Sequence, residues 1–223
     1  MTQKRKMKKN KFILILSLLF FVSCTSVSYF RVNVELSRKA LFDINQFKEI
    51  IVTDFFIKKE AESFDLNQEL VNYFTTQMKQ NFKPEVSSRR ISFPNEELFK
   101  DKSFWKSIQP DSQETVLFTG TVDYLEEVRK AIVQTKKKAD ETFSRDKAIE
   151  ERRFYTINLN FYFIDAQTGE VLYAQAFKET QGYKNPKQTG AFAFYDLADT
   201  VKVKLFNNVL GTATVQQRYL IKD

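Results

Sequence analysis

Few side chains in this sequence could carry out covalent chemistry: there is one cysteine, Cys24, and no histidine. Without histidine, neither Ser-His-Asp nor Cys-His nucleophile systems can be built, and zinc sites based on Cys and His ligands are excluded as well. The Cys24 thiol is the only strong nucleophile, and carboxylates are the remaining acid–base groups. We therefore expect no metal, no cofactor and no enzymatic activity.

Carboxylates could still form the acid–base pair of a glycan hydrolase, whose two groups must lie at a defined separation. The candidates for such a pair are Asp123, Glu126, Glu127, Asp196 and Asp199. Adjacent residues of a strand point to opposite faces, which separates Glu126 from Glu127. Asp196 and Asp199 have helical spacing, where solvated charge is the usual meaning. A carboxylate hydrolase is therefore the less favoured alternative.

Tyrosine side chains could line a ligand-binding face. The candidates are Tyr155, Tyr162, Tyr173, Tyr183 and Tyr195. In a chain with 23 phenylalanines, however, most aromatic side chains are expected in the core. Tyr162 is the exception, because it falls on the polar side of its predicted strand.

The sequence around Cys24 predicts export. Residues 4–11 contain six basic side chains, residues 12–22 are almost wholly apolar, and the small Ser23 precedes Cys24, with no acidic residue before it. This order is typical of a secretory signal peptide, predicted here over residues 1–23 with cleavage between Ser23 and Cys24. A membrane-spanning helix needs about 20 apolar residues, and this run is too short. Translation could start at Met1 or at Met7.

The segment Phe21-Val22-Ser23-Cys24 resembles the lipobox of bacterial lipoprotein precursors, with Phe21 where that family usually has leucine. The resemblance implies a diacylglyceryl thioether on Cys24 and an N-acyl chain such as palmitate on the new N-terminus. Two or more acyl chains anchor a protein stably in a membrane. In the enterobacterial sorting rule, Thr25 favours the outer membrane, so we expect a lipid-anchored protein on the periplasmic side of that membrane.

The formal charge of +7 does not indicate a nucleic-acid partner. Six of the 35 Lys and Arg residues precede Cys24, and none of the 28 acidic residues does. The remaining chain has 29 basic and 28 acidic residues, a net charge of +1. We therefore expect no nucleic-acid binding.

The periodicity of the remaining chain predicts an α+β fold: a largely antiparallel sheet of five to six strands with two main helices on one face. Residues 24–29 are predicted as a lipidated N-terminus and short tether, and residues 30–223 as a single domain. The predicted strands cover 30–36, 49–56, 115–134, 155–163 and 171–177, with a possible edge strand at 214–221. The predicted helices begin at Asp65, near Asn95 and before Phe194, and a charged loop or frayed helix is expected at 135–153.

Two short segments resemble parts of envelope lipoproteins. They are Thr119-Gly120-Thr121-Val122 and the hairpin from Phe163 to Leu172, which contains Asp165-Ala166-Gln167-Thr168-Gly169-Glu170. Together with the closing helix they are similar to the periplasmic domain of the curli secretion channel lipoprotein and to the lipoprotein activator of penicillin-binding proteins. The resemblance supports the α+β fold.

The functional hypothesis from the sequence is a non-enzymatic lipoprotein that binds a protein or assembly partner at the outer membrane, with a homo-oligomer as an open possibility. A secretion-channel subunit is an alternative. It is disfavoured by the charges of the strand at 115–134, because a charge facing lipid costs about 2–4 kcal/mol at mid-bilayer. Those charges are Asp123, Glu126, Glu127, Arg129 and Lys130.

The anchor assignment predicts the behaviour of the Cys24→Ser variant. The thiol is the acyl acceptor, so this variant should take up no labelled palmitate and should remain uncleaved, as measured by metabolic labelling and gel mobility. A Ser23→Ala variant keeps a small residue before the cysteine and should be labelled as the native chain is. Labelled palmitate on the Cys24→Ser protein would contradict the assignment.

Overall fold

The computed structural model describes residues 29–108, 114–134, 147–185 and 187–221, which form two compact units. The described part of the smaller unit, 29–37 and 213–221, holds all but one end residue of each strand of a two-stranded antiparallel sheet, β1 (Tyr29–Arg38) and β7 (Thr212–Ile221). In it the guanidinium of Arg31 lies 5.5 Å from the centroid of the Tyr219 ring. The larger unit, Arg38–Thr212, contains the other described elements. The boundaries between the two units lie at 37/38 and 212/213, within the residues predicted to form one domain, 30–223.

The larger unit is built on a five-stranded sheet with the order β3-β2-β4-β5-β6. Its strands are β2 (Glu49–Lys59), β3 (Glu85–Arg89), β4 (Thr115–Gln134), β5 (Lys147–Asp165) and β6 (Val171–Tyr183). β2 pairs in parallel with β3 and β4, whereas β5 is antiparallel to β4 and β6. The α+β class is confirmed, and the sheet is mixed, because long connections after β2 return the chain to the same end of the sheet.

The helices begin and end where the sequence supplies capping residues. They are α1 (Leu66–Asn81), the short α2 (Lys102–Lys106) and α3 (Gly190–Leu210), with 3-10 helices at Ile44–Gln46 and Glu96–Lys100. The Asp65 side chain accepts a hydrogen bond of 2.9 Å from the Gln68 N–H, as the capping pattern predicts. Thr189 caps α3 in the same way, and Gly211 ends it with a φ of 73°.

Apolar side chains fill both sides of the sheet. The main core lies between the sheet and helices α1 and α3, where the rings of Phe55, Phe74, Phe118 and Phe161 have centroids 5.0–6.2 Å apart. A smaller cluster on the opposite face joins sheet residues to the segment that contains α2. Its buried members are Ile51, Phe99, Trp105, Leu117, Ile164 and Ala166. Each large buried side chain contributes roughly 1.5–3 kcal/mol through burial.

An irregularity in β2 is stabilised by side chains of neighbouring segments. The register between β2 and β4 shifts between Val52 and Phe55, and the Phe55 N–H donates to the Asn67 side chain at 2.8 Å. The Asn67 amide in turn donates to the Asp54 carboxylate at 3.0 Å. The other Asp54 oxygen accepts the Ile91 N–H at 2.9 Å. A side-chain network therefore satisfies the Phe55 and Ile91 N–H groups beside the irregularity.

Several boundaries differ from the sequence-based expectation. The short strand β3 was not predicted, because only Val86 is buried in it and no alternation is visible. The helix expected near 95–107 is a 3-10 turn followed by α2. The loop expected at 135–153 is wrong for residues 147–153, which are part of β5, and 135–146 lie outside the described residues. Thr212–Ile221 pairs with β1 and is not an edge of the main sheet.

Gly120 of β4 lies where the backbone of β5 approaches closely. A Cβ at this position would lie 2.3 Å from the Asn160 carbonyl oxygen and 3.2 Å from the Phe55 ring. Gly120→Ala should therefore lower the free energy of unfolding by about 1–3 kcal/mol, as overpacked core substitutions do. Urea denaturation followed by fluorescence of Trp105, which is fully buried and the only tryptophan, measures this change.

Gly190→Ala is the matched control for this prediction. A Cβ there would meet the rotatable Ser63 hydroxyl at 3.3 Å, and the position lies in the first turn of α3. Alanine also has a higher helix propensity than glycine. The control variant should be as stable as the native chain or more so, and an equal loss in both variants would contradict the proposed backbone clash at Gly120.

Candidate functional site

A cleft of about 480 Å³ opens on the sheet face opposite α1 and α3. Small-molecule sites commonly have volumes of roughly 300–1,000 Å³. The lining residues come from the 3-10 helix Glu96–Lys100, from α2, from β5 and β6, and from the turn between these two strands. They are Glu96, Glu97, Phe99, Lys100, Lys102, Tyr162, Gly169 and Val171.

Polar caps and one buried ring fix the helical wall of the cleft. Asn95 accepts the Glu97 N–H at 3.1 Å, and Asp101 accepts the Ser103 N–H at 2.9 Å. These side chains satisfy N–H groups that have no partner within a short helix. Trp105 is fully buried beneath this wall. The two short helices are therefore held against the sheet, with the charged side chains at their surface.

The β5–β6 turn forms the opposite wall. Asp165 accepts the backbone N–H groups of Gln167 and Thr168, both at 2.8 Å, as expected for an Asx-type turn. Gly169 follows with a φ of 67°, and a Cβ there would lie 2.3 Å from the Lys102 carbonyl oxygen. Only glycine allows this close approach between the turn and the start of α2.

Two ion pairs flank the cleft. The Lys102 ammonium lies 2.6 Å from the Glu170 carboxylate, and the Lys58 ammonium lies 2.9 Å from that of Glu96. The Lys102 hydrogen bond, followed by the Lys102 charge, holds the pKa of Glu170 below its usual value. All four side chains are substantially exposed, so water and salt screen these pairs. The pairs orient the walls of the cleft and contribute little stability.

Tyr162 forms the floor of the cleft. Its ring stacks on Phe99 with centroids 5.0 Å apart and an interplanar angle of 25°. Burial raises the pKa of the Tyr162 hydroxyl, the negative charge of Glu96 raises it further, and Lys58 opposes the shift. The hydroxyl therefore stays protonated at neutral pH and can donate a hydrogen bond to a ligand.

These groups could contact a ligand in several ways. The lining residues provide an apolar stacked pair, one hydroxyl donor and charges of both signs, but no serine, cysteine or threonine nucleophile beside a base. In the described ranges no group of three or more His, Cys, Asp or Glu side chains could hold a metal ion. The cleft is suited to a ligand with an apolar part and a polar or charged end.

The five candidate carboxylates are not gathered into one site. Glu126 binds Arg153 at 2.8 Å on the face of α1 and α3, whereas Glu127 binds Arg129 on the opposite face. The other three carboxylates also have their own partners. Asp123 accepts from Asn158 at 3.4 Å, Asp196 accepts from Tyr183 at 2.5 Å, and Asp199 binds Lys202 and Tyr73.

The five candidate tyrosines also do not form a common face. Tyr155 is fully buried, and Tyr173 and Tyr183 pack against the main core, as expected for most aromatic residues. Tyr195 lies on α3 and donates to Glu69 of α1. Tyr162 alone lies on the opposite face, in the cleft. Tyr162 packs there against the smaller buried cluster, so this face is not simply polar, and a role of Tyr162 in ligand binding stays a prediction.

The lipidation and cleavage residues, Cys24 and Ser23, lie outside the described residues. Among the helices of the described ranges, none has the length and apolar character needed to cross a membrane.

Sequence reasoning missed the helical wall of the cleft. Glu96 and Lys102 look like solvated charges in a polar stretch, because their partners in β2 and the β5–β6 turn are distant in sequence. The available signals were the two capping residues, Asn95 and Asp101, and the Thr-Gly-Glu hairpin.

The Lys102–Glu170 pair predicts a pKa change. In the Lys102→Gln variant the pKa of Glu170 should rise towards its ordinary value, because the hydrogen bond and charge that favour the carboxylate are gone. Carboxyl carbon NMR titration of Glu170 measures this. Since the folded-state pKa is depressed, the pair's contribution is present above the unfolded-state pKa and is lost as the pH falls. Lys100→Gln should leave the Glu170 pKa unchanged, and an equal rise would contradict the assignment.

No protein-family model matches the chain, and neither does any curated protein. Among solved structures it is similar to the PelC dodecamer from Paraburkholderia phytofirmans (14% identity, TM-score 0.39, 81% of this chain and 98% of that chain covered). It is also similar to lipoprotein GNA1162 from Neisseria meningitidis (12%, 0.37, 70% and 97%) and to a minor lipoprotein from Acinetobacter baumannii (9%, 0.36, 73% and 94%). At these TM-scores the similarities carry no argument about function.

Proposed function

We propose that this chain is a lipid-anchored envelope lipoprotein without enzymatic activity, which faces the periplasm and binds a protein partner close to the outer membrane. The observation that carries the proposal is the order of features before the first strand: basic residues 4–11, apolar residues 12–22, Ser23 and Cys24. A thiol placed directly after such a segment is the acceptor that a lipid anchor requires.

The position of β1 supports a partner near the membrane. The strand begins at Tyr29, five residues after Cys24. A fully extended chain spans at most about 3.3–3.6 Å per residue, so these residues reach no more than roughly 18 Å. With acyl chains on Cys24, β1 would begin within that distance of the bilayer, and a partner at the same membrane is the one that it reaches most readily.

The carboxylate arrangement supports a binding role over a hydrolase. A retaining or inverting glycosidase needs two carboxyl groups facing one ligand, one of them with a raised pKa. Here Glu126 and Glu127 point to opposite faces, and both are paired with arginine. Asp199 has a pKa lowered chiefly by its hydrogen bond with Lys202, which is the opposite of what a general acid needs.

The proposal predicts the effect of lengthening the tether. Inserting a flexible 30-residue Gly-Ser segment after Ser28 should preserve folding but lower the yield of crosslinked adducts with outer-membrane proteins in intact cells. The longer tether spans about 30 Å on average and dilutes the domain near the membrane. The yield is measured by photo-crosslinking and fractionation.

The same segment appended after Asp223 is the control, and it should leave the adduct yield unchanged. If the native chain forms adducts only with inner-membrane proteins, or if tether length has no effect on the yield, the proposed location of the partner is wrong.

A further inference from the structure

The outer edge of β6 has no partner strand in the described part of the chain. β6 is the last strand of the sheet order, and it pairs with β5 from Arg153 to Ile164 on one side only. It has 13 residues, Val171–Tyr183. The N–H and C=O groups on the open side of such a strand form a template for another strand.

Natural proteins usually protect a long edge with proline, with several charges, with a β-bulge or with a covering segment. The pairing of β6 with β5 shifts register once, between Val171 and Tyr173, and is regular from Tyr173 to Tyr183. β6 contains no proline, and its two charged residues are Lys178 and Glu179, the latter paired with Lys204 of α3. The side chains of Ala174 and Ala176, on the face opposite the helices, are small and do not block another strand from approaching the edge. The other edge strand, β3, is only five residues long and starts directly after Pro84. β6 is therefore the edge best suited to pairing.

We propose that β6 is the docking edge for a second copy of this chain, with the two β6 strands antiparallel and the two-fold axis at Phe177. The pairing would join the two five-stranded sheets into one of ten strands. Such an interface is isologous, since each copy presents the same strand to the other. The proposal does not depend on the lipid anchor or on the membrane address.

The charges of β6 are compatible with this register and disfavour an axis at Lys178 or Glu179. With the axis at Phe177, Lys178 lies opposite Ala176 of the second copy, and Glu179 lies opposite its Gln175. An axis at Lys178 would place two lysines directly opposite each other, which is unfavourable. Shifting one strand along the other by a single residue is a different change. It would place the helices of the second copy on the other face of the joined sheet.

The ends of the two strands are also complementary in this register. The start of one strand carries Glu170, and the end of the other carries Lys184, so the antiparallel arrangement brings an acidic end to a basic end at both edges of the interface. Because the interface is two-fold symmetric, each favourable contact occurs twice.

Two substitutions of the same exposed residue test the proposal with opposite expected signs. Ala176→Glu places a carboxylate opposite Lys178 of the second copy, and Ala176→Lys places an ammonium there. The first should tighten the dimer about 2- to 30-fold and the second should weaken it by a similar factor, because two symmetric cross-strand pairs change. Sedimentation equilibrium of the full chain in detergent, over a concentration series, measures the dissociation constant.

Both variants change the same exposed edge position, so an effect on folding would be similar in each and is checked by their unfolding midpoints. Lys187→Glu, which alters an exposed lysine beyond β6, is the charge control and should leave the dissociation constant unchanged. A monomer at every concentration, a closed ring larger than a dimer, or a shift in the same direction for both Ala176 variants would overturn the proposal. None of these measurements involves the membrane, so they are independent of the tether experiment.

Discussion

The register shift in β2 is the constraint on which both sides of the sheet depend. The Phe55 N–H beside this shift bonds to a side chain of α1, and a buried N–H without a partner would cost roughly 1–3 kcal/mol. Asn67 removes this cost by accepting from Phe55, and its amide donates to Asp54. Because Asn67 lies in the first turn of α1, the same contacts fix where that helix begins over the sheet. Gly120 then provides the space for the Phe55 ring.

The network also directs the chain to the opposite face. Asp54 accepts the Ile91 N–H, which fixes the segment that follows β3. This segment continues into the two short helices, whose Phe99 and Trp105 pack against the sheet and leave the cleft around Tyr162. One carboxylate therefore connects a helix on the first face to the cleft on the second.

The sequence predicted elements whose pattern reflects burial. β5 alternates because one of its faces is fully buried from Tyr155 to Phe163, and α1 has apolar residues at every fourth position because one side lies in the core. The parallel pairing and β3 were missed because they depend on contacts that are distant in sequence. For the cleft, Tyr162 was visible as an aromatic residue on a polar face, but Lys102 and Glu170 become neighbours only when the turn packs on α2.

The outer part of the β4–β5 hairpin shows why patterning fails without a core. β2 pairs with β4 only as far as Asp123, and β6 pairs with β5 only from Arg153 onward. Residues 129–134 of β4 and 147–152 of β5 therefore pair only with each other and form a two-stranded ribbon. Ile132 and Ile149 are opposite each other and about 70% exposed. Opposite charges, such as Lys130 facing Glu151, favour the pairing there. Since neither face is buried, the charges suggest a loop although the backbone is a strand.

The β5–β6 turn connects the cleft to the open edge of the sheet. Gly169 lines the cleft, and Glu170, which immediately precedes β6, binds Lys102 of the helical wall. In a dimer formed through β6, the same carboxylate would also lie near Lys184 of the second copy. One carboxylate therefore belongs both to the wall of the cleft and to the start of the open edge, so the packing of the turn on α2 positions both features.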